Sequence, residues 1–565
     1  MARTDLPEPI PRRDPALLAL LAAGLLLRLL IAWAPFSYLA SRGPIVDDAF
    51  YSFSVARNVA RGDGLTADGI HATSGFQPLY TFLIIPFYLI SGGNPVLPIH
   101  LALTLLALAG ALTGWFIFRI VFPIAGRPAA LFSLFLWTAA PYFLSQGLNG
   151  LETGLFGLAL AATLDYYLGS VRQDPAPRRL ALLGFLLGLT ILVRVDGILF
   201  ASAIAADLAL RRPISLRRLG HVLLPAGTAL ATLAPYLIFL WARFGVLLPE
   251  SGPAVRFLSL CYGTLFVLGP RSAFFFPPEQ VPWIYYVGSL RKAVQILLEE
   301  PLLFPSSLVL SVASAAKIFN PRAILLVLGG GALLAANLLL LRRGRGSPDD
   351  SRRGLARVGA LCAAFWIPAY AFGILGQWWF HRYFFPLFLL MAVASGPVAD
   401  RIARSHSVFR RVGFARFTAA AACLHLALFA WQVPEQFLRN KPYQNVSEYI
   451  QAARVLDESL PPGGRGGAFQ SGTMGYFARH PVINLDGVVN RDAARALKDK
   501  RMADYIRGEG IEAIIDWPLW FEALLVQRSP AGAGRNLGPA RPAGRFLLIR
   551  VEPSPNRVAC LGPQR

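Results

Sequence analysis

Charge is scarce in this chain. Asp, Glu, Lys and Arg make up 15% of its 565 residues, against about one quarter in soluble domains. Hydrophobic residues fill 55%. These proportions exclude a single soluble domain, a disordered chain and a fibrous repeat, and they fit a polytopic membrane protein. Cysteine is scarce too. Cys261, Cys362, Cys423 and Cys560 have no metal-ligand spacing and make no disulfide framework. The seven histidines show no ligand spacing either, and no glycine-rich nucleotide loop follows a predicted strand. Acid is the rarer sign, 32 Asp and Glu against 54 Lys and Arg, for a net charge of +22.

What is abundant is apolar runs. A spanning helix needs roughly 20 mostly apolar residues, and eleven candidates are present: 15–35, 96–118, 128–146, 152–168, 180–193, 197–210, 219–241, 322–341, 355–374, 383–399 and 417–433. The first is long and lacks a small-residue cleavage site, so it reads as a retained span rather than a signal peptide. Placing the N-terminus in the cytoplasm puts 23 basic residues in 75 inner loop positions and 11 in 134 outer ones. That bias orients the chain in the plasma membrane and accounts for the net charge without nucleic acid. The stretch 76–91 holds Pro78 and Pro86, and counting it as a span would invert every later loop. It reads as an interfacial or re-entrant helix between outer loops, which cover 36–95 and 243–320.

The predicted architecture is therefore an all-α membrane domain over 1–434 and a small extracytoplasmic α/β domain over 435–565. In the latter, an amphipathic run from Tyr449 to Leu460 precedes strand-like pieces at Pro481–Leu485 and Ile511–Asp516. Asn445-Val446-Ser447 matches a glycosylation acceptor, a short and unspecific pattern.

Candidate chemistry gathers in the outer loops. Asp47 and Asp48 follow the first span and precede a predicted interfacial helix. One reading makes a carboxylate the base for an acceptor hydroxyl, or a metal ligand; the other makes it a helix cap. Glu152 opens a span from a loop with no basic residue, where two acids can converge on one metal or substrate. Arg194 and Asp196 bound a tight connection, either functional at membrane depth or a local ion pair. Arg256 follows the start of the large outer loop. His381 and Arg382 lie among aromatics, where the guanidinium either holds a phosphate or snorkels in an aromatic belt. Arg28, inside the first span, snorkels or contacts a carbonyl.

In this order the motifs resemble the GT-C superfamily of integral-membrane glycosyltransferases. The resemblance rests on Asp47-Asp48-Ala49-Phe50 with Arg57-Asn58, on Gly62-Asp63-Gly64-Leu65 and Gly75-Phe76-Gln77-Pro78-Leu79, and on Gly150-Leu151-Glu152-Thr153. It continues through Arg194-Val195-Asp196-Gly197, Phe244-Gly245 with Leu248-Pro249, Arg382-Tyr383, Gly472 to Phe477 and Asn484-Leu485-Asp486-Gly487. It is strongest toward the actinobacterial arabinofuranosyltransferase-like branch and extends to protein O-mannosyltransferases. Departures are the Val195-Asp196 pair, which stands for Pro-Glu, and Glu250, which stands for Asn.

The resemblance implies transfer of a sugar, with inversion, from a polyprenyl-phosphate donor to an extracytoplasmic glycan, lipid or protein acceptor. It implies Asp47 or Asp48 as base and Glu152 as a second acid. A divalent cation (Mg, Mn or Ca) would sit at Asp48 and Glu152, as in some members. Substrate contacts would come from Arg57, Arg194, Asp196, Arg256, His381 and Arg382. The phosphate leaving group is already anionic and needs cations rather than a general acid. A flippase of lipid-linked sugars is the competing expectation, but such transporters show duplicated halves and no repeat is visible here. A scaffold with a decayed site is disfavoured by the retained acids.

Overall fold

The computed structural model describes residues 14–210, 216–268, 283–299, 349–374, 380–405, 445–521, 540–543 and 545–552, with isolated positions 416 and 423. Asp14 caps the first helix, α1 (Pro15–Ala32), accepting the N–H groups of Ala16 and Leu17, with Pro15 at the first turn. Two short helices, α2 (Phe36–Ser41) and α3 (Ala49–Arg61), follow, and α3 stops at Gly62, whose φ of 89° is left-handed. Helix α4 (Pro78–Leu89) occupies the stretch read as interfacial.

The expected spans at 96–118 and 128–146 run together as α5 (Leu97–Ala139), broken at Gly126 between Pro123 and Pro128. Its two arms fold back on each other: the Trp137 indole donates to the Gly110 carbonyl at 2.8 Å. Then come α6 (Pro141–Gly147), α7 (Thr153–Tyr166) with a π turn to Val171, α8 (Pro177–Val193), α9 (Gly197–Leu210) and α10 (Leu216–Phe244). The region 243–320, expected as a loop, holds two helices, α11 (Ser251–Leu268) and α12 (Trp283–Glu299). Helix α13 (Asp349–Pro368) continues as a π turn to Ile374, and α14 (Phe380–Tyr383) leads into α15 (Phe385–Ser405). The expected spans at 322–341 and 417–433 lie outside the described residues.

Among the described residues five helices are long and apolar enough to cross a membrane: α1, α5, α7 with its π turn, α10, and α13 with its π turn. One continuous apolar core joins α5, α7, α8, α9, α13 and α15. Arg28 is buried in it, donating to the carbonyls of Gly24 and Trp137; the cation is satisfied by backbone rather than reaching for water.

The tail builds a five-stranded sheet from β1 (Arg465–Ala468), β2 (Val482–Asn484), β3 (Ile511–Asp516), β4 (Ala540–Ala543) and β5 (Phe546–Arg550), in the order β2-β1-β3-β5-β4. β2, β1 and β3 are parallel, and β5 and β4 add antiparallel. Helix α16 (Val446–Ser459) covers one face, with Tyr449, Ala452, Ala453 and Leu456 buried. Helices α18 (Arg491–Lys498) and α19 (Met502–Gly508) cover the other. Asn445 caps α16, accepting from the Ser447 N–H and hydroxyl at 3.0 and 2.6 Å, and is buried. The glycosylation pattern is thus a helix cap.

Helix α17 (Ser471–Phe477) docks this unit on the membrane helices. Phe50, Phe53 and Tyr476 pack together edge-on. Gly75 approaches Val488 so closely that a Cβ there would lie 2.0 Å from its carbonyl oxygen. The docking ties the tail to the end of the bundle where α3, α7, α9 and α14 begin.

Candidate active site

Chain direction brings the predicted residues to this one end of the bundle. Asp48 occupies the cap position of α3 but makes no side-chain cap bond. Its Oδ2 instead accepts from the Arg382 guanidinium at 2.7 Å, and the two side chains are 22% and 17% exposed. Glu152 likewise precedes α7 without capping it. Its carboxylate lies 3.3 Å from Arg194, which forks onto Asp196 at 3.0 and 2.7 Å. The Tyr370 hydroxyl, carried on the π turn after α13, donates to the same Asp196. The Tyr383 ring lies beneath both guanidinium groups, 5.6 Å from Arg194 and 5.2 Å from Arg382. Burial raises the Glu152 pKa, opposed by Arg194 and then Arg382, so the field of the second cation reaches the first pair.

Asp47 differs from its neighbour. It is fully buried, its Oδ1 accepts the Thr473 N–H at 2.7 Å, and its Oδ2 has no hydrogen-bond partner. Burial pushes its pKa up to about 8, and the charges of Asp48 and Asp516 push the same way. Two tail carboxylates face this region. Asp486 follows β2 and Asp516 ends β3, so both sit at the carboxyl ends of parallel strands, where α/β sheets place their functional groups. Each is raised to about 7, chiefly by burial. Asp486 also feels Asp48 and Asp516. For Asp516, the N–H groups of Gln470 and Trp517 partly offset the burial. The sequence placed Asp486 in a motif and Asp516 at a strand end but gave neither a role. The only legible signal was that each follows or ends a strand-like piece.

Other expected contacts go elsewhere. The Arg57 guanidinium donates to the carbonyls of Tyr476 and Gly475 at 2.5 and 3.3 Å and lies 4.6 Å from the Tyr476 ring centre. It fastens α3 to the tail rather than joining the acid–arginine pairs. Arg256 stands exposed on α11 and takes no part in them. His381 contributes its carbonyl to the Tyr142 hydroxyl at 2.5 Å. Glu250 pairs with Arg491 at 2.8 Å, a second tie between the helical part of the chain and the tail. Asp48 and Glu152, the expected metal ligands, are each held by a guanidinium. Among the described residues no three His, Cys, Asp or Glu side chains are placed to share an ion.

Residues 77–239 match the family model of dolichyl-phosphate-mannose-protein mannosyltransferases, and residues 436–539 match a domain of unknown function. No curated protein matches the chain. Among solved structures it is similar to ArnT from Cupriavidus metallidurans. In the apo state of that protein the TM-score is 0.55 at 14% identity, over 97% of this chain and 99% of that one. Bound to undecaprenyl phosphate, ArnT gives a TM-score of 0.53 at 15% identity, with the same coverage. The oligosaccharyltransferase of Archaeoglobus fulgidus in complex with Zn and sulfate gives a TM-score of 0.50 at 14% identity, over 95% and 73% of the two chains. Tethered to an acceptor peptide, it gives 0.50 at 15% identity, over 95% and 74%. Matched along nearly its whole length, the chain has the GT-C fold that these two proteins share.

Proposed function

We propose that this protein transfers a sugar from a polyprenyl-phosphate donor to a hydroxyl of an extracytoplasmic glycan, glycolipid or protein, inverting the anomeric centre. The observation that carries this reading is the joining of Asp48 to Arg382, and of Glu152 to Arg194 and Asp196, by loops far apart in sequence at one end of the bundle. Undecaprenyl phosphate on ArnT and an acceptor peptide on the archaeal oligosaccharyltransferase support the choice of substrates. The membrane domain would span 1–434 and the outer domain 435–565, with the arginine-rich end in the cytoplasm and the site facing outward from the plasma membrane.

The residues divide the chemistry as follows. Arg382 holds the donor phosphate and stabilises the charge it gains on leaving, with the field of the buried Arg194 behind it. With Arg382 engaged there, Asp48 is released to take the acceptor proton. The acceptor oxygen bonds to the anomeric carbon from the face opposite the phosphate, the carbon–phosphate oxygen bond breaks with its electrons, and the proton ends on Asp48. Asp48 is chosen over Asp47 because it is accessible. Glu152 and Asp196 fix Arg194, and Tyr370 fixes Asp196. No step requires a metal, and the guanidinium-held carboxylates form no ready ligand set.

The test is transfer from a panel of polyprenyl-phosphate sugars by the purified protein in lipid. Asp48→Asn should lower turnover about 10²–10⁴-fold, the usual worth of a positioned proton acceptor. Equal transfer by wild type and variant removes the assignment.

A further inference from the structure

The turn that carries Asp48 is fixed from three sides. The Val46 N–H donates to the Asn149 carbonyl at 3.2 Å, tying it to the loop that presents Glu152. The Phe50 N–H closes back on the Asp47 carbonyl at 3.0 Å. The third tie comes from the tail. The Asp47 carboxylate receives the Thr473 N–H at 2.7 Å, and Gly472 packs against the same residue. A Cβ at Gly472 would lie 2.4 Å from the Asp47 carbonyl oxygen and 3.1 Å from its Oδ2. Asp47 and Thr473 are both fully buried, so in this arrangement no substrate reaches Asp47 while the tail turn is seated.

Resting on the transferase reading, we propose that Asp47 is a positioning residue. Its carboxyl group clasps the Gly472–Thr473 turn of the tail and thereby sets where the adjacent Asp48 points. The C-terminal unit thus completes the active site without touching substrate through this turn. Arg57, further along α3, holds the same helix α17 through the Tyr476 and Gly475 carbonyls. That places the clasp on an already docked element, so losing Asp47 loosens one turn rather than undocking the tail.

The role predicts a pattern that a proton-accepting Asp47 would not give. Asn at 47 keeps an oxygen for the Thr473 N–H; Ala does not. Asp47→Asn should hold kcat within about threefold of wild type. Asp47→Ala should lower it about 10²-fold, the cost of an ångström-scale misplacement, with little change in the KM for the donor. Gly472→Ala should resemble Asp47→Ala. A second readout does not depend on turnover. In a Thr473→Cys chain the thiol should resist a maleimide reagent, should stay protected with Asp47→Asn, and should label with Asp47→Ala, each compared with the chain bearing native Thr473. Loss of transfer in Asp47→Asn as deep as in Asp48→Asn, with the thiol still protected, overturns the positioning role. So does equal labelling in all three backgrounds. If no donor is turned over by wild type, the transferase reading fails instead, and the labelling pattern still decides the clasp.

Discussion

The two ends of α9 carry the same chemistry in opposite circumstances. At one end Asp196 is held by Arg194 and by Tyr370 from a π turn. At the other, Asp207 is held by Arg172 and by Tyr167, again from a π turn, with Arg357 at 3.4 Å. Arg172 and Asp207 are wholly buried, and Asp350 accepts the rest of the Arg172 fork at 3.1 and 3.2 Å. There two cations, Arg172 and Arg357, match two acids, Asp207 and Asp350. At the Asp196 end the balance tips toward acid. Asp48 pairs with Arg382, and Glu152 and Asp196 with Arg194, while the buried Asp47 and Asp486 both feel the charges of Asp48 and Asp516. Ion pairs alone therefore do not mark a functional site. What sets the Asp196 end apart is an excess of carboxyl groups over guanidinium groups, three of them raised well above their usual pKa by burial.

This contrast can be broken by removing one member at each end. Arg172→Ala leaves Asp207 buried without its main partner, a change that costs about 3–5 kcal/mol. It should cut the yield of folded protein and its melting temperature while sparing turnover per folded molecule. Asp48→Asn should do the reverse, and a melting curve run beside the transfer assay separates the two. If Arg172→Ala melts like wild type, the ends differ less than the geometry indicates.

A second experiment sharpens the acid excess through pH. Asp486 and Asp516 are raised to about 7 in the fold from an ordinary value of 3.8. The folded protein therefore keeps protons that the unfolded chain releases above pH ~4. Stability contributed by these groups is greatest below pH ~4 and is lost as pH rises toward 7, by up to about 1.4 kcal/mol per unit for each group. Melting temperature should accordingly fall over about two pH units, from roughly pH 5 to roughly pH 7. Asp486→Asn, which keeps an oxygen for the Val488 N–H, should flatten that slope. An unchanged slope would show that Asp486 titrates normally. The smallest effect belongs to the start of α16: Asn445→Ala should cost about 1 kcal/mol, as lost helix caps do, and leave the mass of any attached glycan unchanged.

The order of motifs along the chain was enough to read the GT-C fold, because each acid or arginine falls where a helix begins or ends on the same side. Asp48, Glu152, Arg194, Asp196 and Arg382 were legible for that reason. What sequence alone could not tell was how the tail docks. Arg57 reads as a substrate contact until the carbonyls of Gly475 and Tyr476 are seen opposite it. Asp486 and Asp516 look like ordinary strand ends until β1, β2 and β3 are aligned in parallel. Asp47 and Asp48 are identical in type and adjacent, and only burial separates them. Helices α11 and α12 were hidden by the proline, glycine and mixed polarity of 243–320.

Asp196 stands just before the first residue of α9 and Asp207 lies near its other end, eleven positions on, a rise of about 16 Å. The hydrocarbon core of a bilayer is about 30 Å thick. The two charged layers are thus closer together than the two water boundaries of an unperturbed membrane. Either lipid thins around α9 or one layer is sunk below the headgroups. Either way, one charged layer stands deeper than the ordinary headgroup plane, so water and polar groups reach further toward the midplane beside α9 than along the longer helices.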